Sequence, residues 1–114
     1  MTRVQSVNRL TRSEVKQFLA HARRVLRTPE LDILFAPAAA AQGRLLVVTP
    51  GRIGTAPQRN TVRRRLKALF QKNNFGQHGY DCGVIVKAPG VSLNSTHLET
   101  HLKTALAKVT HGHS

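Results

Sequence analysis

Between Asp32 and Asp81 the chain runs for 48 residues without a carboxylate while carrying eight Arg and Lys. Six of those bases, Arg52, Arg59, Arg63, Arg64, Arg65 and Lys67, fall within sixteen residues, and the same stretch carries strong helix signals. Thr55-Ala56-Pro57-Gln58 is a helix start, with Pro in the first turn and Gln three residues after a capping Thr. Val62, Leu66, Leu69 and Phe70 then form an apolar stripe, and Asn73-Asn74 with Gly76 to Gly79 ends the helix. Arg59, Arg63 and Lys67 are spaced i, i+4, i+8, which makes a ridge along one flank, adjoining that stripe. Each like-charged i, i+4 pair weakens an isolated helix by about 0.2–0.5 kcal/mol. The pattern costs folding stability, and phosphate binding is the compensating use it points to.

The rest of the chain sharpens this. Eighteen Lys and Arg against five Asp and Glu give +13 at pH 7, with a pI near 11.7. A compact domain with so large a single-sign charge repels itself, and a polyanion such as nucleic acid relieves it. Arg forks match phosphate oxygens, and Asn60 adds a neutral donor and acceptor suited to a ribose or base edge. A membrane surface fits less well. The longest apolar stretch, residues 31–41, is interrupted by Asp32, and nothing approaches the roughly 20 apolar residues of a span. Met1 to Arg12 lacks a signal-peptide core, so the expected location is the cytoplasm. The lone Cys82 lies in an apolar strand-like run, where a buried thiol is expected.

The 114 residues are expected to form a single domain, 1–114, with an ordered core over about 8–109 and frayed tails. Thr11 and Glu14 have capping-box spacing. Val15, Phe18, Leu19, Ala22, Val25 and Leu26 follow on one helical face until Thr28-Pro29 stops the pattern. Residues 31–36 and 44–49 read as strands, with Pro37 and the alanines after it as a loop. Residues 81–87 read as a third strand, and a last helix, capped within 94–96, buries Leu98, Leu102, Ala105, Leu106 and Val109. The order helix, strand, strand, helix, strand, helix describes an α/β (α+β) two-layer sandwich, a small mixed sheet packed with about three helices.

Protein-borne catalysis is not expected. A two-metal phosphodiesterase needs several carboxylates converging on metal ions, and five acids scattered along the chain do not supply them. Six histidines show no evident pairing. His97 and His101 are i, i+4 on the last helix, but the intervening order is not that of a zinc protease and no third ligand is apparent. They read as exposed helix histidines. No catalytic residue and no metal ligand is assigned.

The segment Arg52-Ile-Gly-Thr-Ala-Pro-Gln-Arg59-Asn60-Thr-Val-Arg63-Arg64-Arg65-Leu-Lys67 resembles the signature of the bacterial ribonuclease P protein component. In that family a basic residue, an aliphatic and a glycine precede an Arg-Asn-Arg helix. Arg9-Leu10 before the first helix and the run from Asp81 to Pro89 before the last helix agree, so the resemblance spans about residues 8–109. The departures are specific. Thr61 stands where the second Arg is usual, Lys67 where Arg is usual, and Val15 and Leu19 where the family places phenylalanines. Thr49-Pro50-Gly51 replaces a serine and lysine pattern. Arg65 is expected to restore part of the charge missing at Thr61, from another helix face.

The resemblance implies a sandwich with a left-handed β-α-β crossover and a division of labour in which the RNA subunit carries the chemistry. The implied partners are the ribonuclease P RNA, one protein per RNA, and precursor tRNA. Divalent metal (Mg) would sit at the RNA active site, none being bound tightly by the protein alone. Arg52, Arg59, Asn60, Arg63, Arg64, Arg65 and Lys67 would contact the catalytic RNA. Arg12, Val15, Leu19, Phe35 and Val86 are the candidates for a cleft holding the single-stranded 5′ leader, between the first helix and the sheet, with Phe35 as its surviving aromatic. The competing class is a small ribosomal-type structural RNA-binding protein without a role in cleavage. The combined glycine, Arg-Asn and basic spacing argues against it.

Overall fold

A computed structural model describes residues 12–38 and 42–111. The elements in chain order are α1 (Arg12–His21), β1 (Arg23–Arg27), β2 (Leu31–Pro37), β3 (Leu45–Val48), α2 (Ala56–Lys72), β4 (Tyr80–Val86) and α3 (Ser95–His111). Short 3-10 turns precede α2 and β4 and follow β4. Thr11, the expected tail 1–8, the alanines at 39–41, and residues 112–114 of the expected tail 110–114 lie outside the described residues, while Thr110 and His111 continue α3.

One expectation is corrected. Residues 23–27 are not the end of the first helix but an edge strand, so the sheet has four strands where three were expected. The reason is a β-bulge between Arg24 and Leu26 in the β1–β2 register. A bulge inserts one residue and shifts the alternation, so Val25 and Leu26, although adjacent, both pack against the main core. The period-2 signature is lost, and what remains fits helical spacing. Thr28 closes the hairpin. Its hydroxyl donates to Leu31 O at 2.9 Å and accepts from the Leu31 and Glu30 amides at 3.0 and 3.2 Å.

The strand order is β1-β2-β4-β3, with β4 antiparallel to β2 and parallel to β3. The last strand is thus inserted centrally, and α2 is the connection of a β-α-β unit. Burial follows: β2 is buried over six consecutive residues and β4 over five of seven, as suits strands covered on both faces. The stripe Val62, Leu66, Leu69 and Phe70 of α2 joins Leu98, Leu102 and Ala105 of α3 over Leu31, Ile33, Phe35, Cys82, Val84 and Val86. Burial pushes the Cys82 thiol up, and Asp81 beside it adds to the effect, so this thiol is an inert core group.

The other sheet face carries a smaller cluster under α1: Phe18, Leu34 and Ala36, flanked by Ala22, Leu46 and Ile85. Gly83 makes it possible. A Cβ there would lie 2.5 Å from Phe18 Cε2, so the phenylalanine ring occupies the space a side chain would need. Arg44 ties the same helix down, its Nη1 donating to Glu14 Oε2 at 3.0 Å while its backbone N–H donates to Asp81 Oδ1 at 2.7 Å.

Gly83→Ala is expected to cost about 1–3 kcal/mol by overpacking, measured by urea unfolding. Phe18→Ala in the same chain should recover part of that cost, so the two substitutions combine non-additively. Strict additivity would mean that Gly83 is not set by the approach of Phe18.

Candidate nucleic-acid interface

The α2 helix begins as its sequence predicts. Thr55 Oγ1 accepts from the Gln58 N–H at 3.3 Å, and Gln58 Oε1 accepts from the Thr55 N–H at 2.9 Å, a reciprocal capping box with Pro57 in the first turn. At about 100° per residue, burial of Val62, Leu66, Leu69 and Phe70 sets where each base goes. Arg59, Arg63 and Lys67 lie on one flank, Arg64 faces outward, and Arg65 lies on the other flank. Arg52 is exposed in the 3-10 turn Gly51–Ile53 that leads into the helix.

The ridge is partly preorganised by neutral acceptors. Arg59 Nε donates to Gly54 O at 3.3 Å. Arg63 Nε donates to Thr49 Oγ1 at 3.0 Å, and its Nη1 donates to Asn60 Oδ1 at 3.0 Å. These bonds orient the guanidinium groups without neutralising them. Gly54, the glycine of the signature, acts here through its backbone carbonyl, whereas the role of Thr49 depends on the end of β3 lying beside α2. Thr61 Oγ1 donates back to Pro57 O at 2.9 Å, so it offers no outward charge. Arg65 keeps its charge but carries it on the other flank, where its Nη1 donates to Leu93 O at 2.8 Å and ties α2 to the loop before α3.

The acids lie elsewhere. Glu14 and Asp81 pair with Arg44, Asp32 with Arg24 and Lys87, Glu30 with His101, and Glu99 with Lys72 and Lys103. Asn73 Nδ2 also donates to Glu99 Oε2 at 3.1 Å, and that bond, with the two lysines, holds the Glu99 carboxyl below its usual range. Among the described residues none of Arg52, Arg59, Arg63, Arg64, Arg65 and Lys67 has a carboxylate within ion-pair distance. Six uncompensated bases within sixteen residues make this segment a concentrated cationic surface.

The leader-cleft candidates are not brought together. Phe35 and Val86 point into the α2/α3 core, 5% and 1% exposed, on the face opposite α1. Strand alternation explains this: Leu31, Ile33 and Phe35 share one face of β2, and Asp32, Leu34 and Ala36 share the other. Val15 is half-buried and Leu19 is 46% exposed on α1, while the Arg12 side chain lies outside what is described. The face beside α1 is lined instead by Phe18, Leu34, Leu46 and Ile85. A groove of about 320 Å³ runs there between α1 and the sheet, past Gln17, His21, Ala36 and Pro37. His101 is also corrected: it is not a freely exposed helix histidine but lies 3.5 Å from Glu30, with its side chain 23% exposed. No group of three or more His, Cys, Asp or Glu able to hold a metal occurs among the described residues, and no described helix is long and apolar enough to cross a membrane.

Arg65→Ala is expected to lower stability by about 1.5–2 kcal/mol, the lower part of the range for a charged hydrogen bond because the site is only half-buried. Arg64→Ala should change stability by less than about 0.5 kcal/mol and lower RNA affinity instead. Thermal unfolding beside an RNA filter-binding titration separates the two roles.

A sequence model of the family described as Ribonuclease P matches residues 4–110. The fold is similar to that of the Staphylococcus aureus RNase P protein, with a TM-score of 0.74 at 15% identity, covering 90% of this chain and 94% of that one. It is also similar to the RNase P protein from Thermotoga maritima, with a TM-score of 0.73 at 20% identity, covering 88% and 96%. Comparison with curated protein sequences gives no match.

Proposed function

Because the chain belongs to the ribonuclease P protein family, it is the protein subunit of the ribonucleoprotein endoribonuclease that matures tRNA 5′ ends, and we propose that α2 is its docking surface for the catalytic RNA. The observation that carries this reading is the uncompensated charge of residues 52–67 in a fold whose acids are all paired elsewhere. Arg59, Arg63, Arg64 and Lys67, with Arg52 at the helix entry, would neutralise phosphates and release counterions. Asn60, already holding Arg63, would set the spacing of donors. Arg65 serves this surface indirectly, by fixing the rotation of α2 on the core.

The 5′ leader of precursor tRNA would lie on the sheet face beside α1. Leu46 and Ile85, half-buried on that face, give it an apolar floor there, against which bases pack without the ring stacking an aromatic floor would add. The protein donates no reacting side chain in this scheme. It raises substrate affinity at the RNA active site, where divalent metal would be held by the RNA. The whole chain would act as one domain, one protein per catalytic RNA, in the cytoplasm.

The test is 5′ cleavage of a leader-bearing precursor tRNA at low magnesium by bacterial catalytic RNA, with and without the protein. Cleavage is expected to be stimulated by the protein, and Arg59→Ala/Arg63→Ala should raise the protein concentration needed by at least tenfold with the maximum largely retained. A mixture no faster than RNA alone, with RNA binding intact, would favour a structural RNA-binding protein. Cleavage by the protein alone would contradict the scheme.

A further inference from the structure

A second basic site lies away from α2, at the β1 edge of the sheet. A pocket of about 520 Å³ opens between the start of β1, the end of β2 and the C-terminal turns of α3, within the roughly 300–1,000 Å³ that ligand sites occupy. Its walls are apolar and aromatic: Tyr80, Phe35 and Val109. The Phe35 and Tyr80 rings lie 5.7 Å apart at 51°, so the buried phenylalanine holds the half-buried tyrosine in place. Its rim is cationic: Arg23, Arg24 and Lys108. Arg24 is 3.4 Å from Asp32, whereas Arg23 and Lys108 have no carboxylate within ion-pair distance among the described residues.

An aromatic wall under a rim in which two of three cations have no carboxylate partner among the described residues has the chemistry of an unstacked nucleotide: a ring for the base, and point charges for the phosphates on either side. The pocket is also continuous with the groove beside α1, since His21 and Pro37 line both. A single strand lying along that groove and turning around the end of β2 would enter it.

We propose that this pocket is a distal subsite for the single-stranded 5′ leader, taking one nucleotide with its base against Tyr80 and its phosphates on Arg23 and Lys108. The proposal rests on the reading of the α1 side of the sheet as the leader path. It makes the protein sensitive to leader length, because only a strand long enough to leave the groove reaches Tyr80.

Tyr80 reports on its own occupancy, being the only tyrosine in a chain without tryptophan. Titration of the full-length protein with decauridylate, followed by tyrosine emission, is expected to show a saturable quench. Arg23→Ala/Lys108→Ala should weaken the midpoint five- to tenfold. Lys103→Ala, which removes an exposed lysine elsewhere on α3, should change it less than twofold. An absent quench would overturn the proposal, as would an unshifted midpoint in an Arg23→Ala/Lys108→Ala protein of native circular dichroism. With catalytic RNA present, the same double variant should raise KM about fivefold for a precursor tRNA with a ten-nucleotide leader and leave a two-nucleotide leader unaffected. Equal losses for both substrates would place the pocket on the catalytic RNA and overturn the leader assignment. A quench retained in a protein whose Arg59→Ala/Arg63→Ala form binds catalytic RNA normally would support the pocket while overturning the α2 reading.

Discussion

Five carboxylates must hold together a chain that carries eighteen Lys and Arg, and their placement decides what the remaining charge can do. Each one joins elements rather than decorating a surface. Glu14 and Asp81 meet on Arg44, tying α1 to the starts of β3 and β4. Asp32 draws in Arg24 of β1 and Lys87 after β4. Glu30 faces His101 between the β1–β2 hairpin and α3, and Glu99 joins α3 to the end of α2 through Lys72 and Asn73. Asp32 and Asp81 are the most deeply buried of these groups, and a buried carboxylate left unpaired is costly. Asp32 and Asp81 are therefore fixed in the fold, and the ion pairs of the other three acids lie away from residues 52–67.

That partition gives α2 two jobs that pull against each other. Its stripe of Val62, Leu66, Leu69 and Phe70 is a principal wall of the core, while its outer half repels itself. Burial and the Thr55–Gln58 box stabilise the helix enough to carry the repulsion. Thr49, Gly54 and Asn60 then supply neutral oxygens that aim Arg59 and Arg63 without cancelling their charge. The Arg65 bond to Leu93 O fixes which side of the helix faces out. A polyanion meets a surface whose geometry is set before it arrives, which lowers the ordering cost of binding.

Much of this was legible in the sequence, for local reasons. The capping box, stripe and ridge of α2 are all encoded within sixteen residues, and α3 and β4 have comparably local signals. The failures are non-local. The β1 strand was hidden because its bulge places Val25 and Leu26 on one face, so alternation vanished. Phe35 and Val86 lie opposite α1 because Phe35 alternates with Leu34 along β2 and Val86 pairs across the sheet with Leu31 of the same buried face, a pairing that no local pattern encodes. The central position of β4, between β2 and β3, depends on pairing across long sequence separations. The fate of Arg65 depends on a carbonyl 28 residues away. Gly83 carried no signal of its role, which exists only because Phe18 lies across it.

The central claim is that the uncompensated charge on α2 is a phosphate-binding charge, and its most direct measure is the salt dependence of affinity for bacterial ribonuclease P RNA. Each phosphate neutralised contributes about 0.7–0.9 to the slope of log affinity against log salt. Arg59→Ala/Arg63→Ala should flatten that slope by about 1.4–1.8 relative to the parent protein, with the fold intact by circular dichroism. A slope unchanged in the folded variant would contradict the account, because it would mean that these arginines meet no phosphate.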